Sequence, residues 1–246
     1  MAKRAAPQPA KARSAKRRIQ TASAGPSKDR REIILEIAKR RFAEFGYRAT
    51  TIREIATDAH ILSGSIYHHF DTKDEMLERI ISGTLNYMLH TTRTIESSTC
   101  DAEQKLVSLI KFTAEEVTRD QYAHAIIWNE RLLIRHNPYF EHLSSMRSGI
   151  YYIWRDIYNE GSNNNLFRKH FDPYMTIANI IRLLYATAEW HSPDREYTLE
   201  QVTNFHLQFI LNAIRLPERI NAPIPDATCV DMEELAKARA ALIAAD

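Results

Sequence analysis

Apolar residues recur at helical spacing along most of this chain, and the breaks between the periodic runs predict an all-α fold. Ile33, Ile34, Ile37, Ala38, Phe42 and Phe45 form the first stripe. They predict a helix from about Asp29 to Phe45, with Gly46 where a C-terminal glycine cap belongs. Thr51 and Glu54 have capping-box spacing and open a second helix with Ile52, Ile55, Ala56 and Ala59 on its inner face. A tight turn from His60 to Leu62 leads to a third helix over about Ser63 to His69. A fourth begins near Thr72, with Asp74 and Glu75 in its first turn to suit the dipole, and continues to about Thr94. Later helices are expected near 102–119, 121–136, 139–160, 173–190 and 198–215. Asn137-Pro138, the run from Gly161 to Asn165, and Ser192-Pro193-Asp194 supply the breaks. Pro217, Pro223 and Pro225 mark 217–230 as a linker. A short Ala-rich helix from Met232 to Ala244 would be marginal alone in water.

Charge changes this picture at one end. Residues 1–31 hold ten of the 33 Lys and Arg but only one of the 31 acids, Asp29, so the rest of the chain is acidic. A basic arm on an acidic body suits contact with a polyanion at one end. The arm, 1–27, is rich in Ala, Pro, Lys, Arg and Ser and is expected to be disordered, with loose phosphate contacts still open to it. Cys100 and Cys229 are the two cysteines. They lie far apart with no CxxC or His/Cys cluster, so neither a disulfide framework nor structural zinc is expected, as in a reducing cytoplasm. No apolar run reaches the roughly 18–20 residues that cross a bilayer, and the basic N-terminus lacks the apolar stretch of a secretory signal.

Three short helices over 29–75, the last two joined by a tight turn, can present the third to a DNA major groove. Ile52, Ile55, Ala59, Ile61, Ile66 and Phe70 are its expected core. The surface of the third helix is left with Ser63, Gly64, Ser65, Tyr67 and His68, small or hydrogen-bonding groups that can reach base edges and phosphates. Adjacent His68 and His69 point about 100° apart on a helix and suit no shared metal ion. Arg30, Arg31 and Arg53 fit either a solvated face or phosphate contact.

The run FAEFGYRATTIREIA (42–56) followed by ILSGSIYHHFDTKDEML (61–77) resembles the N-terminal domain of the TetR family of regulators. Gly46-Tyr47, Thr50-Thr51, Ile55-Ala56, Tyr67-His68-His69-Phe70 and Lys73 all sit at the family's spacing. The resemblance implies that Thr51 contacts phosphate, that Tyr67 gives its phenol to a phosphate or base with His68 beside it, and that Lys73 meets a phosphate. It also implies that Ser63, Gly64 and Ser65 face the bases. Two positions depart from the pattern. His60 replaces the usual turn glycine, and Leu62 stands where a Ser cap is usual. Tyr67 as plain packing, and Thr51 as a cap alone, stay open.

The resemblance further implies a C-terminal helical domain with a small-molecule pocket and a dimer interface. Segment 121–160 interleaves Tyr122, Trp128, Tyr139, Phe140, Tyr151, Tyr152, Trp154 and Tyr158 with Arg131, Arg135, Arg147 and Arg155. Rings with a few cationic donors suit an amphipathic anionic ligand, and equally an ordinary core with solvated arginines. Arg182 lies in the apolar run IANIIRLLYATAEW beside Tyr185 and Glu189. A buried arginine there needs an anion, either Glu189 or a ligand. Trp128, Arg131, Trp154, Arg155, Arg182 and Tyr185 are therefore the candidate ligand contacts. The segments WNERLL (128–133), YYIWRDIYNEG (151–161) and EWHSPDREYTLEQV (189–202) resemble TetR-type regulators of lipid and steroid breakdown that respond to acyl-CoA thioesters. Ile180, Leu183, Leu184, Phe205, Phe209, Ile210 and Ala213 exceed what one internal face needs and predict a two-fold helical seam.

The expected organisation is a basic arm (1–27), a helix-turn-helix DNA-binding domain (28–75), a ligand-binding and dimerisation domain (76–216), and a linker with tail (217–246). The expected function is a cytoplasmic, homodimeric, ligand-responsive repressor of a palindromic operator, without cofactor or metal. An activator on the same fold stays open. A helical enzyme is disfavoured, since no nucleophile elbow, phosphate loop or HExxH pattern occurs.

Overall fold

A computed structural model describes residues 30–191, 196–226, 229–231, 233–235, 237, 239 and 242. The basic arm, the helix start at Asp29, the break at 192–194 and part of the Met232–Ala244 helix lie outside them. The regular elements among the described residues are helices, with one isolated antiparallel bridge between Phe167 and Arg215. No helix among them is long and apolar enough to cross a membrane.

The first four helices follow the apolar stripes. α1 (Arg30–Phe45) buries Ile34, Ala38 and Phe42, one residue per turn, and leaves Ile33 and Phe45 exposed. It stops at Gly46, whose φ of 86° is costly for any residue with a side chain, and the Gly46 amide bonds the Phe42 carbonyl at 3.1 Å. α2 (Ile52–Asp58) opens on the full Thr51/Glu54 capping box. α3 (Ser63–Ile66) is one turn long, shorter than expected, because Tyr67 to His69 continue only as turns. α4 (Lys73–Glu96) runs from a Thr72 cap deep into the body.

The remaining helices are α5 (Ala102–Arg119), α6 (Gln121–Asn129), α7 (Arg131–His136), α8 (Glu141–Asn163), α9 (Pro173–Tyr185), α10 (Thr187–Trp190) and α11 (Leu199–Ile214). α4 lies along α8, α5 packs on α8 and α11, and α1 packs on α6. One apolar core runs from Ile34 in α1 to Ile214 in α11, so the N-terminal unit and the body share it. The single helix expected over 121–136 is broken at Glu130, whose carboxylate turns to accept the Tyr47 amide at 3.0 Å. The one expected over 173–190 breaks at Ala186.

The cysteines correct the sequence reading. Cys100 and Cys229 are joined in a disulfide, with their Cα atoms 5.7 Å apart across 129 residues of sequence. Spacing along the chain carried no sign of it, because the tail folds back over the start of α5. Arg215, only 2 % exposed, pairs its Nε with Glu103 and reaches the Ala222 and Pro223 carbonyls at 2.6 and 3.0 Å. Arg219 adds a second bond to Glu103 at 2.8 Å. Residues 217–223, expected as a linker, are thus held against the body.

Candidate functional site

Two places carry the candidate chemistry. The first is the exposed end formed by α2, the turn and α3. Ile55, Ile66 and Phe70 are buried beneath it, while Ile52, Ala59 and Ile61 are half-buried. His60 takes φ of 55°, the left-handed geometry expected where it replaces glycine. Leu62 caps α3 without a side-chain hydrogen bond, so α3 is held by packing of Ile66 and by the Phe70 amide on the Ile66 carbonyl at 3.0 Å. A methyl group added at Gly64 would meet no atom within 4 Å, so the fold does not require glycine there. Gly64, Tyr67 (56 % exposed) and His68 face outward, and Ser63 and Ser65 are half-buried. Thr51 is exposed but already engaged: its hydroxyl and amide both contact the Glu54 carboxylate, at 2.9 and 2.8 Å.

Lys73 is drawn inward. Its ammonium donates to the Tyr47 and Thr50 carbonyls at 2.8 Å each and sits 4.3 Å from the Tyr47 ring centre. Burial lowers its pKa from the usual lysine range. Tyr47 in turn donates its hydroxyl to Asp74, and burial raises its phenol's pKa. Arg31 bridges α1 to the unit's far side, donating to the His69 carbonyl at 3.2 Å and to Glu75 at 3.0 Å, with its guanidinium over the Phe70 ring. These cations brace the unit, a role that charge and spacing alone left unassigned.

The second place is a cavity of ≈ 420 Å³ between α1, α5, α6, α9 and α10. Trp128, Arg182 and Tyr185, chosen from sequence, all line it. His124, Ala43 and Glu44 join them. The Trp128 and Tyr185 rings lie 5.3 Å apart, and His124 meets Tyr185 edge-on at 5.5 Å. Arg182 is exposed rather than buried, which corrects the sequence reading. Its guanidinium lies 5.9 Å from the Trp128 ring centre, and among the described residues no ion pair joins it to Glu189. The buried arginine is Arg215, paired internally with Glu103. Arg131 stacks on the outer side of this cluster, 5.2 Å from the Trp128 ring, with Nη1 on the Trp128 carbonyl at 2.9 Å.

Trp154 and Arg155 are elsewhere. Trp154 is core, 1 % exposed, and Arg155 pairs with Asp156 at 2.8 Å. His124 was missed by sequence reasoning, since a lone histidine in an apolar run carries no signal. It is buried, its Nε2 has no hydrogen-bond partner among the described residues, and its Nδ1 lies 3.5 Å from the Tyr185 hydroxyl. Burial pushes the His124 pKa down to about 4 and the Tyr185 phenol up to about 12, so both are neutral at pH 7. Arg147, close to Tyr185, is also held below its usual pKa, first by burial and then by Arg135 and Arg131. It has no carboxylate partner among the described residues. Rings, one unsatisfied buried nitrogen and the Arg182 guanidinium therefore line a space the size of a small ligand.

Comparison with known proteins assigns both segments of the chain to one family. Residues 34–80 match the family described as "Bacterial regulatory proteins, tetR family", and residues 99–214 match "Tetracyclin repressor-like, C-terminal domain". The HTH-type transcriptional repressor KstR2 of Mycobacterium tuberculosis (strain ATCC 25618 / H37Rv) is 31% identical over 78% of this chain and 96% of its own. KstR2 of Rhodococcus jostii (strain RHA1) is 31% identical over 76% of this chain and 92% of its own. The solved structure of the ketosteroid transcriptional regulator KstR2 of Mycobacterium tuberculosis superposes with a TM-score of 0.71, at 31% identity, over 78% of this chain and 98% of that one. AibR, solved in complex with isovaleryl coenzyme A and operator DNA, shares the fold at a TM-score of 0.64 and 19% identity, over 74% of this chain and 97% of its own. The chain belongs to the TetR family of bacterial transcriptional regulators.

Proposed function

We propose that this chain is a cytoplasmic, homodimeric repressor that binds a palindromic operator through α3 and is released by a hydrophobic, acyl-CoA-like effector. The observation that carries the DNA half is the outward face of α3. Gly64, Tyr67 and His68 are exposed over a packed floor of Ile55, Ile66 and Phe70, and no contact within the fold accounts for Gly64. In the bound form Ser63, Gly64 and Ser65 approach base edges. Tyr67 and His68 reach phosphate or base, and Thr51 offers phosphate its hydroxyl. Lys73 has two donor directions committed to carbonyls, so it acts chiefly by holding the 47–50 loop and presents its remaining donor to a phosphate.

The seam supports pairing. Phe205 and Phe209 are 61 % and 58 % exposed and stacked on the outer face of α11, while Ile180, Leu184 and Ile210 are buried beneath. A two-fold pairing would cover them and set two recognition helices about 34 Å apart, or a multiple of that. Both KstR2 relatives are named repressors.

For the effector, the wall of the cavity matters. Ala43 and Glu44 of α1 line it, and no α4 residue does. A ligand seated there acts on the DNA unit through α1, which is itself the unit's first helix. A ligand that binds better with α1 displaced from α6 shifts the population away from the DNA-binding form. The Trp128 and Tyr185 rings suit the apolar part, and Arg182 suits an anionic part. The name of one relative speaks of ketosteroids, and AibR is solved with an acyl-CoA.

The test is a gel-shift on the DNA flanking the gene, with CoA thioesters of acyl and steroid acids titrated in. Release by at least one thioester, lost in Trp128→Ala while operator affinity is kept, is the expected result. Operator affinity untouched by every thioester opposes the effector half and leaves the DNA half standing.

A further inference from the structure

We propose that Cys100 and Cys229 are a reversible thiol–disulfide pair that governs docking of the C-terminal tail on α5, and through α5 the seating of α1. The tail lies beyond the segment that matches the C-terminal domain of the family, residues 99–214. Up to Pro223 it is anchored by Arg215 and Arg219 without help from the cysteines. Beyond that point the disulfide is the covalent tie, and both of its residues are half-buried, within reach of small reagents.

What the tie holds down is specific. Asp231 caps the amides of Glu233 and Glu234 at 2.8 and 3.2 Å, and the helical residues that follow bury Leu235. Arg239 then grips Glu116 with two nitrogens, Nε at 2.9 Å and Nη2 at 2.8 Å, and lies over the Tyr87 ring of α4. Glu116 is 1 % exposed, and its other cation, Arg119, stands 4.0 Å away. A buried carboxylate that loses its main partner is costly, so tail docking and α5 are coupled. The link continues to the DNA unit. Arg239 is 3.9 Å from Asp120, and Asp120 is 3.3 Å from Lys39 of α1.

A helix this short is marginal in water; Leu235 is buried and Val230 and Leu242 pack on the core, and a covalent tether adds to these few contacts what keeps the tail docked. Oxidation supplies the tether. Two thiols give up two protons and two electrons, and a low-molecular-weight disulfide accepts both and leaves as two thiols, through a mixed disulfide. A dithiol reductant runs the exchange backwards. Reduction leaves the chain beyond Pro223 held only by non-covalent contacts, those of Ile224, Val230, Leu235 and Leu242 among them, raises the population with Arg239 away from Glu116 and Asp120, and so loosens the Lys39 contact that helps seat α1.

The test uses the full chain and needs no DNA, so its failure leaves the operator reading intact. Protein is equilibrated with oxidised glutathione or with dithiothreitol. Thiols are counted after denaturation, trypsin cleavage is timed at Lys237 and Arg239, and hydrogen exchange is followed in α1 and α5. The oxidised chain is expected to show no free thiol and tail cleavage at least ~10-fold slower than the reduced chain, with α1 exchange also slowed. Cys229→Ser, a change in the tail beyond the family's C-terminal segment, should match the reduced protein in tail cleavage and in α1 and α5 exchange under both conditions. Arg239→Gln should keep the disulfide yet exchange faster in α5. Two free thiols under oxidised glutathione, equal tail cleavage in both states, or unchanged α5 exchange in Arg239→Gln would each overturn the proposal.

Discussion

The recognition end and the effector cavity are built at different ranges. The first is assembled from about forty consecutive residues, and its parts answer to local rules: a capping box, a left-handed His60, a glycine cap, a short exposed helix. The second gathers Ala43 from α1, His124 and Trp128 from α6, and Arg182 and Tyr185 from α9, which meet only after the body has packed. One end is therefore constrained in shape and free in surface chemistry. The other is constrained by packing, with its chemistry set by which polar atoms stay unsatisfied. Glu130, which accepts the Tyr47 amide, and the α1 wall of the cavity are the places where the two regions meet.

The sharpest break between them is a substitution felt by DNA and not by the fold. Gly64→Leu adds a side chain into open space, so the melting temperature should stay within about 1 °C, while operator affinity falls roughly 100-fold because the helix is held off the groove. Thermal melts and gel-shifts on one preparation check both halves. A smaller effect is expected at the seam. Phe209→Glu places like charges near a two-fold axis and should lower the dimer fraction in sedimentation, weakening operator binding by roughly tens of fold with the monomer fold intact.

At the cavity the effect is on stability and depends on pH. His124 has its folded pKa depressed to about 4 from 6.5, so its contribution is fully present above pH ~6.5 and is lost as pH falls toward 4. Between pH 7 and 5 this costs about 2 kcal/mol. His206, also lowered by burial, adds to the same slope. Urea midpoints at the two pH values should converge in His124→Gln relative to the parent. The smallest effect is local: Thr51→Ala removes the α2 cap and should cost about 1 kcal/mol, measured by the same urea titration at pH 7.

Legibility followed the same division of range. The sequence revealed α1 to α4, the caps, the buried Ile55, Ile66 and Phe70, and the odd geometry of His60, since each depends on near neighbours. It also picked Trp128, Arg182 and Tyr185, because rings and a cation on adjacent apolar runs are conspicuous. It could not place Trp154, an aromatic that packing sent to the core, or single out His124, whose meaning comes from burial alone. The Cys100–Cys229 bond and the Arg215–Glu103 pair were invisible because each joins residues more than a hundred positions apart. Lys73 was read as a phosphate contact, and the fold commits two of its donors to carbonyls.

The most direct measurement is selection of bound sequences from a pool of random DNA by the full chain, run beside Gly64→Leu. The account predicts that the parent enriches an inverted repeat with half-sites about one helical turn or a multiple apart, and that the variant enriches none. A parent that retains all sequences alike, or a variant that returns the same repeat with the same yield, contradicts it.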